Sequence, residues 1–380
     1  MSIPYHRPYL NRESSSALSR VLKSGWLTTG SETSHFETAF AQYCQTTHAI
    51  MLSSGTAALH LALIAGGVKA GDEVITTPYT FTATSEVCEY IGAKVVLVDI
   101  RPDTLNIDET RVAEKITPRT KAIIPVHFGG HPCEMDTLLK VARQHGIFVI
   151  EDAAHCTPAY YRGKAVGSLS DVTCFSFYAN KCITTGEGGM ITCADDGLAS
   201  QIRKLRLHGL SKDAINRYKQ KNSWRYDVEM LGYKYNPTDL AAALGRTQLG
   251  IADTLHQKRQ RVAHWYHENL TKLSGIILPT ELSHVISSWH LYPIRLYPEL
   301  RQHRDALIAY LAEQEIMTSM HFIPLYRHSY YRQKYGWDPG DYPVTEITAD
   351  SEISLPLYPQ LTRKQVITVS QVLEKFLDQL

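Results

Sequence analysis

The chain has 380 residues, 20% of them charged, and 39 basic against 38 acidic side chains give a formal charge of +1. This balance argues against nucleic-acid binding, and no apolar stretch approaches the ~20 residues of a membrane span. The length suits one large domain with a smaller one, because single cores stop growing near ~250–300 residues. The seven cysteines are scattered and show no CxxC spacing, which predicts reduced thiols. The N-terminus shows no signal-peptide pattern, so we expect a soluble cytoplasmic protein.

Short β-rich runs alternate with helix-patterned segments from about residue 47 to 195. The runs are 48–52, 73–77, 94–100, 121–126, 147–152, 172–177 and 189–193. This alternation predicts an α/β domain with a largely parallel sheet, helices on both faces and ligands at the carboxyl ends of the strands. The polar and aromatic stretch 211–239 has no clear pattern and is a candidate functional loop.

Long helical segments with fewer strands follow after about residue 245. They are typical of a smaller α+β domain. We therefore expect a large domain over residues 1–245 and a small C-terminal domain over residues 246–380.

Three features fall at the predicted carboxyl edge of the sheet. Small residues at 53–57 join a strand to an apolar helix and suit a phosphate, Asp152 ends a strand, and Lys181 follows another strand before a glycine-rich loop. Each alone has a structural explanation: a helix start, a helix-capping carboxylate and a solvated lysine. No other charge lies between Lys181 and Glu187, and such partly desolvated surroundings favour a neutral, nucleophilic amine.

Pyridoxal phosphate needs this combination. Its phosphate needs N–H and hydroxyl donors, its ring nitrogen needs an anion, and its aldehyde forms a Schiff base with a lysine. Phe81, in the segment Pro78-Tyr79-Thr80-Phe81 after the second strand, is a candidate for stacking on the ring.

Six segments resemble one enzyme family. They are, in chain order, SSGTAALHLAL, GDEVITTPYTF, KAIIPVHFGG, EDAAH, CFSFYANKCITTGEGG and GYKYNPTDLAAALGRTQL. Together they closely resemble the nucleotide-sugar aminotransferases, the DegT/StrS-type branch of fold-type I pyridoxal phosphate enzymes, over nearly the whole chain. The resemblance implies an aspartate aminotransferase-like α/β fold.

The resemblance also implies roles for individual residues. Lys181 corresponds to the lysine that binds the aldehyde, Asp152 to the partner of the ring nitrogen, and His155 to the residue beside the phenolic oxygen. The remaining implied cofactor-binding residues are Gly55, Thr56, Phe81, Ser176 and, from the neighbouring subunit of a homodimer, Asn236. The active site would therefore be shared between two subunits.

Several residues are candidate neighbours of the substrate. Glu187 matches a family glutamate. Trp26 and Thr29 occupy a segment that resembles one bordering the sugar pocket in the family, or that is simply a turn after the first helix. His321 and Tyr326 could bring the small domain to the cleft, or could be a buried histidine and an aromatic packing face.

Two other signals have simpler interpretations. The cluster His127, His131 and Cys133 matches no common zinc spacing, so we predict a structural loop and no metal. Cys182 has no identifiable catalytic partner, and we expect it to be a small packing residue. Cys156 and Pro158 depart from the family pattern, so we expect the turn after Asp152 to differ slightly from that of the family.

The resemblance predicts transfer of an amino group from an amino-acid donor, expected to be glutamate, to a nucleotide-linked keto-sugar. Four segments resemble the branch of the family that acts on 4-keto sugars: SGWLTTG, EDAAH, HGL and GYKYN. This similarity favours amination at C4 of the sugar, with C3 as the alternative. The lysine at position 181 disfavours the dehydratase branch, which carries histidine there. A non-catalytic cofactor-binding regulator is a second hypothesis, and a nicotinamide oxidoreductase ranks last because no G-x-G-x-x-G follows the first strand.

Overall fold

The structure is a computed structural model that describes residues 2–211 and 226–380. Residues 212–225 of the candidate functional loop lie outside the described residues. The strands in chain order are β1 His48–Leu52, β2 Glu73–Thr76, β3 Lys94–Leu97, β4 Thr120–Ile123, β5 Phe148–Asp152, β6 Tyr160–Tyr161, β7 Lys164–Ala165, β8 Val172–Ser176, β9 Gly189–Cys193, β10 Ile276–Ile277, β11 Val285–Ile286, β12 Tyr292–Leu296 and β13 Glu352–Leu355.

The described α-helices surround these strands. In chain order they are α1 Arg12–Ser24, α2 Ser31–Tyr43, α3 Gly55–Ala65, α4 Ala83–Ile91, α5 Met135–His145, α6 Asp196–Leu205, α7 Asp239–Leu249, α8 Ala252–Leu270, α9 Arg304–Glu313, α10 Ser329–Tyr335, α11 Pro343–Ser351 and α12 Arg363–Leu377.

The main sheet has seven strands in the order β1-β9-β8-β5-β4-β2-β3. All of them run parallel except β9, which is antiparallel to both of its neighbours. Each of the seven strand-like runs predicted from the sequence forms one of these strands. The carboxyl ends of six strands therefore meet at one edge of the sheet, where ligands bind in open α/β folds.

Apolar side chains cover both faces of the main sheet. Helix α3 is almost entirely apolar and is buried over its central turns, where it packs with α4 and α6 against one face. On the other face, α2 contributes Phe36 and Phe40, whose rings contact those of Phe175 and Phe177 at centroid distances of 5.1–5.4 Å. The sheet thus forms the central layer of an α/β fold, as predicted.

A second, smaller sheet has the order β10-β12-β13, and its core includes side chains of α8, α9 and α12. Ile3 also packs in this core and pairs with Ile316, so the N-terminal segment reaches the C-terminal region. The division of the chain at residues 245 and 246 stays a prediction. Among the helices of the described ranges, none combines the length and hydropathy that a membrane span requires.

Asp239 ties two distant segments together at the start of α2. This helix begins after Gly30, which offers no side-chain cap. The buried carboxylate of Asp239 instead accepts hydrogen bonds from the backbone N–H groups of Gly30, Thr33 and Glu32 at 2.7, 3.0 and 3.2 Å, and from the Thr33 hydroxyl. A side chain from α7 therefore satisfies the first amides of α2.

We expect Asp239→Ala to lower the free energy of unfolding by about 2–4 kcal/mol, because several buried donors lose their acceptor at once. Thr238→Ala is the matched control, since Thr238 caps only α7 by accepting from the backbone N–H of Ala241; its cost should be about 1 kcal/mol. Urea unfolding followed by circular dichroism measures both. An Asp239→Ala variant no less stable than Thr238→Ala would contradict this role.

Candidate active site

Lys181 lies in the loop between β8 and β9, at the carboxyl edge of the main sheet. Its backbone N–H donates to the carbonyl of Tyr178 at 2.9 Å. Its half-buried side chain lines a cavity of about 580 Å³. Burial lowers the pKa of the amine to about 8, and the carboxylate of Asp152 partly opposes this shift. A much larger fraction of the amine is therefore neutral near pH 7 than for an exposed lysine, as a nucleophile requires.

Asp152 is the last residue of β5 and lies in the wall of the same cavity. Its side chain accepts hydrogen bonds from the Thr84 hydroxyl at 2.8 Å and from the backbone N–H of Ala154 at 3.2 Å. Burial raises the pKa of Asp152, while these two donors and Lys181 act in the opposite direction. A cation placed against this carboxylate would gain a strong partner, because burial strengthens the attraction between opposite charges.

The start of α3 forms another part of the cavity wall. Ser54 is the N-cap and accepts from the backbone N–H of Ala57 at 3.0 Å, and the first amides of a helix have no acceptor within the helix. A Cβ atom at Gly55 would lie 3.0 Å from that of Ser176, so glycine lets β8 approach this turn closely. Backbone N–H groups and the hydroxyls of Thr56 and Ser176 are thus gathered at one place, as a phosphate requires.

His155 lies three residues after Asp152 and is buried. Its Nδ1 accepts a hydrogen bond from the backbone N–H of Gly129 at 3.2 Å. The ring lies 4.4 Å from that of His290 and is stacked on Phe322 at 5.9 Å, measured between centroids. Burial, together with the charge of Lys181, lowers the pKa of His155 well below its ordinary value, so the imidazole is neutral.

The structure brings most of the predicted site residues to this one cavity. Its wall includes Gly55, Thr56, Phe81, Asp152, His155, Ser176, Lys181, Glu187 and His321. His321 comes from the segment before β13, where its Nδ1 lies 2.9 Å from the hydroxyl of Ser354. The region after residue 245 therefore contributes to the cavity.

Four of the predicted residues do not line this cavity, and three of them, Trp26, Thr29 and Asn236, lie close to one another. Thr29 and Asn236 line a separate cavity of about 720 Å³, and the side-chain amide of Asn236 donates to the Thr29 hydroxyl at 2.8 Å. The indole N–H of Trp26 donates to the carbonyl of Thr29 at 3.1 Å. Within one chain these residues do not meet Lys181, so a role beside it requires a second copy.

Tyr326 does not line the cavity. Only 1% of its surface is exposed. Its ring stacks on that of Tyr342 with 5.2 Å between the ring centroids, in the core cluster that also contains side chains of α3 and α4. The position is therefore a packing site in this chain, in line with the alternative interpretation as an aromatic packing face.

Sequence reasoning missed several residues of the cavity wall. They are Thr84, Tyr178, Asn180, His290 and Phe322. Thr84 carried a signal, since a hydroxyl in the first turn after PYTF faces the same sheet edge as Asp152. His290 carried none, because it comes from a distant segment just before β12.

The loop around His127 is held by hydrogen bonds. The Nε2 atom of His127 lies 2.8 Å from Glu151, and its Nδ1 accepts from the backbone N–H of Cys133 at 3.1 Å. The side-chain amide of Asn106 donates to the carbonyl of His131 at 3.0 Å. Within residues 2–211 and 226–380, no group of three or more metal-ligating side chains comes together.

These residues fit pyridoxal phosphate. The cavity offers amide and hydroxyl donors for a phosphate, a buried carboxylate for a ring nitrogen and a lysine for an aldehyde. Asn180 Oδ1 is buried there without a hydrogen-bond partner among the described residues, and such an atom is a natural contact for a bound polar group. Lys181, Asp152 and His155 would hold the reactive ring, and Gly55, Thr56 and Ser176 would hold the phosphate.

We expect Thr84→Val to weaken pyridoxal phosphate binding about tenfold, because a hydrogen bond to a charged group stabilises by about 1.5–3 kcal/mol and this one helps to keep Asp152 ionised. Ser85→Ala is the control: it removes a hydroxyl of the same helix that donates to the carbonyl of Thr82. Fluorescence titration of cofactor-free protein measures both affinities. Equal affinities for the two variants would argue against a role for Thr84.

Comparison with known proteins adds independent information. A model of the DegT/DnrJ/EryC1/StrS aminotransferase family matches residues 8–374. The spore coat polysaccharide biosynthesis protein SpsC of Bacillus subtilis is 43% identical over 366 residues, which are 96% of this chain and 94% of SpsC.

Two solved structures are similar over their whole length. Spr1654 of Streptococcus pneumoniae, assigned as a sugar aminotransferase and solved in its PMP form, has a TM-score of 0.94 at 33% identity, covering 99% of both chains. PseC of Helicobacter pylori, an aminotransferase involved in the biosynthesis of pseudoaminic acid, has a TM-score of 0.94 at 29% identity, covering 100% of both chains.

The fold-type I architecture and the cofactor predicted from the sequence are confirmed by these matches. The chain therefore belongs to the DegT/DnrJ/EryC1/StrS aminotransferase family and is a pyridoxal phosphate-dependent sugar aminotransferase.

Proposed function

We propose that this enzyme transfers an amino group from glutamate to the C4 carbonyl of a nucleotide-linked keto-sugar. The observation that carries this proposal is the presence of Lys181 and Asp152 in one cavity, beside donors suited to a phosphate. The involvement of PseC in pseudoaminic acid biosynthesis and of SpsC in polysaccharide biosynthesis supports a sugar as the acceptor. The sequence motifs shared with the 4-keto branch favour C4.

The residues of the cavity have distinct parts in this reaction. Pyridoxal phosphate, when bound, supplies the aldehyde that carries the amino group and a ring that takes up electrons. Asp152 keeps the ring nitrogen protonated, since its buried carboxylate stabilises a cation beside it. The Nζ atom of Lys181 takes the α-proton of the amino donor and later returns a proton to the sugar carbon, which its lowered pKa favours.

We propose that the active enzyme is a homodimer with a shared active site. Asn236 and Thr29 line a cavity separate from that of Lys181, so a second copy would be needed to bring them to the cofactor phosphate and the sugar. Phe81 and Tyr178 line the cavity of Lys181 and are 61% and 47% exposed in one chain. Large apolar side chains exposed around a cavity are typical of a surface that another subunit covers.

Two alternatives remain to be separated from this proposal. Amination at C3 would use the same residues with the sugar bound differently. A regulator that binds the cofactor without catalysis would keep the fold but not the proton transfers of Lys181.

We also propose that the enzyme acts in the cytoplasm, because all seven cysteines are free and buried.

Glutamate should convert the bound cofactor to its amino form, and nucleotide-linked 4-keto sugars should convert it back faster than 3-keto sugars. Absorbance spectroscopy of the bound cofactor follows both half-reactions. Lys181→Ala should bind cofactor without turnover, and Asp152→Asn should turn over more slowly. An unchanged spectrum with glutamate would favour the regulator, and faster reaction of 3-keto sugars would move the amination to C3.

A shared site predicts complementation between two inactive variants. In a refolded mixture of Lys181→Ala and Asn236→Ala, random pairing makes half of the dimers mixed, and each mixed dimer has one intact site, so about a quarter of the wild-type activity should return. Each variant refolded alone is the control. Failure of the mixture to exceed the separate variants, although mixed dimers form, would refute the sharing of the site.

A further inference from the structure

Two hydrogen bonds and two ring contacts hold His155 in place. The backbone N–H of Gly129 donates to its Nδ1 at 3.2 Å, and its ring contacts those of His290 and Phe322. Its own carbonyl accepts a hydrogen bond from the Ser288 hydroxyl at 2.5 Å. Within the described ranges, its Nε2 has no hydrogen bond to the protein, and the residue lines the cofactor cavity.

These contacts define the tautomer of His155. An N–H group can donate to Nδ1 only if that nitrogen carries a lone pair, so the proton of the neutral ring is on Nε2. The nitrogen that has no protein partner is therefore a hydrogen-bond donor. A doubly protonated ring would place an N–H against the N–H of Gly129, which disfavours the cation.

The segment before β12 holds the turn that makes this contact. The backbone N–H of Ser288 donates to the carbonyl of Gly130 at 3.0 Å, and that of Leu291 donates to the carbonyl of Gly129 at 3.1 Å. Gly130 has φ +100°, and a Cβ atom there would lie 2.0 Å from the Ser288 Oγ. Glycine at this position therefore lets Ser288 reach both the turn and His155.

We propose that His290 and Ser288 are positioning residues that keep His155 as a neutral Nε2–H donor to the phenolic oxygen of the cofactor. The family resemblance implies that His155 lies beside the phenolic oxygen, while Asp152, Lys181 and the start of α3 are suited to the ring nitrogen, the aldehyde and the phosphate. The proposal rests on the proposed cofactor-binding residues but not on the identity of the sugar.

The charged and titratable groups that face His155 come from four segments. They are Asp152 at the end of β5, Lys181 in the loop after β8, His290 before β12 and His321 before β13. The charge of Lys181 disfavours a second proton on His155, as would any charge on His321. A donor at Nε2 stabilises the phenolate over the phenol, and thus lowers the pH at which the absorbance of the bound cofactor titrates.

The test is a pH titration of the absorbance of bound pyridoxal phosphate, in holoenzyme without amino donor or sugar. We expect His155→Leu to raise the midpoint by about one pH unit, through loss of a hydrogen bond to an anion. His155→Gln should keep the wild-type midpoint, because its amide can also donate. His290→Ala should raise the midpoint and His290→Phe should not, since an aromatic ring keeps the wall beside His155. Ser288→Ala should raise it as His290→Ala does.

Two results would overturn the proposal. One is an unchanged midpoint in His155→Leu or His290→Ala at full cofactor occupancy. The other is an equal shift in His290→Phe and His290→Ala, which would assign the effect to the imidazole of His290 itself. Because no sugar is present, a failure to aminate keto-sugars would leave this result unaffected and would count only against the proposed substrate.

Discussion

The burial of one amine beside one carboxylate is the constraint on which this active site depends. Lys181 and Asp152 share a cavity at the carboxyl edge of a parallel sheet, where burial lowers the pKa of the amine and raises that of the acid. Each group partly offsets the shift of the other. A cofactor that offers an aldehyde to the amine and a cationic nitrogen to the carboxylate satisfies both groups at once.

Residues from other segments of the chain hold Asp152 and the neighbouring His155 in place. Thr84 holds the carboxylate from α4, and the segment before β12 reaches His155 through the turn at Gly129 and Gly130. The main sheet alone therefore does not make the site. The strands bring the side chains of the site close to one another, and contacts from the C-terminal part of the chain fix their orientation. Such contacts determine how precisely the groups of an active site are arranged.

The fold and the central residues could be predicted because they follow from local patterns. Alternating strand and helix segments predict a parallel sheet, and residues that end its strands, such as Asp152, must meet at one edge. Thr84 carried only a local signal and His290 carried none, because their partners lie far away in the chain and no periodicity connects them. Tyr326 shows the limit for aromatic residues, since a tyrosine suits a cleft or a core equally until its stacking partner Tyr342 is known.

The most direct test is the pKa of Lys181 in the cofactor-free protein. Dimethylation with ¹³C-formaldehyde and NMR titration report it, with the Lys181 resonance identified by its loss in Lys181→Arg. The account predicts a midpoint near 8, and a lower one in Asp152→Asn because the carboxylate raises this pKa. A midpoint near the ordinary value of 10.5, unchanged by Asp152→Asn, would contradict it.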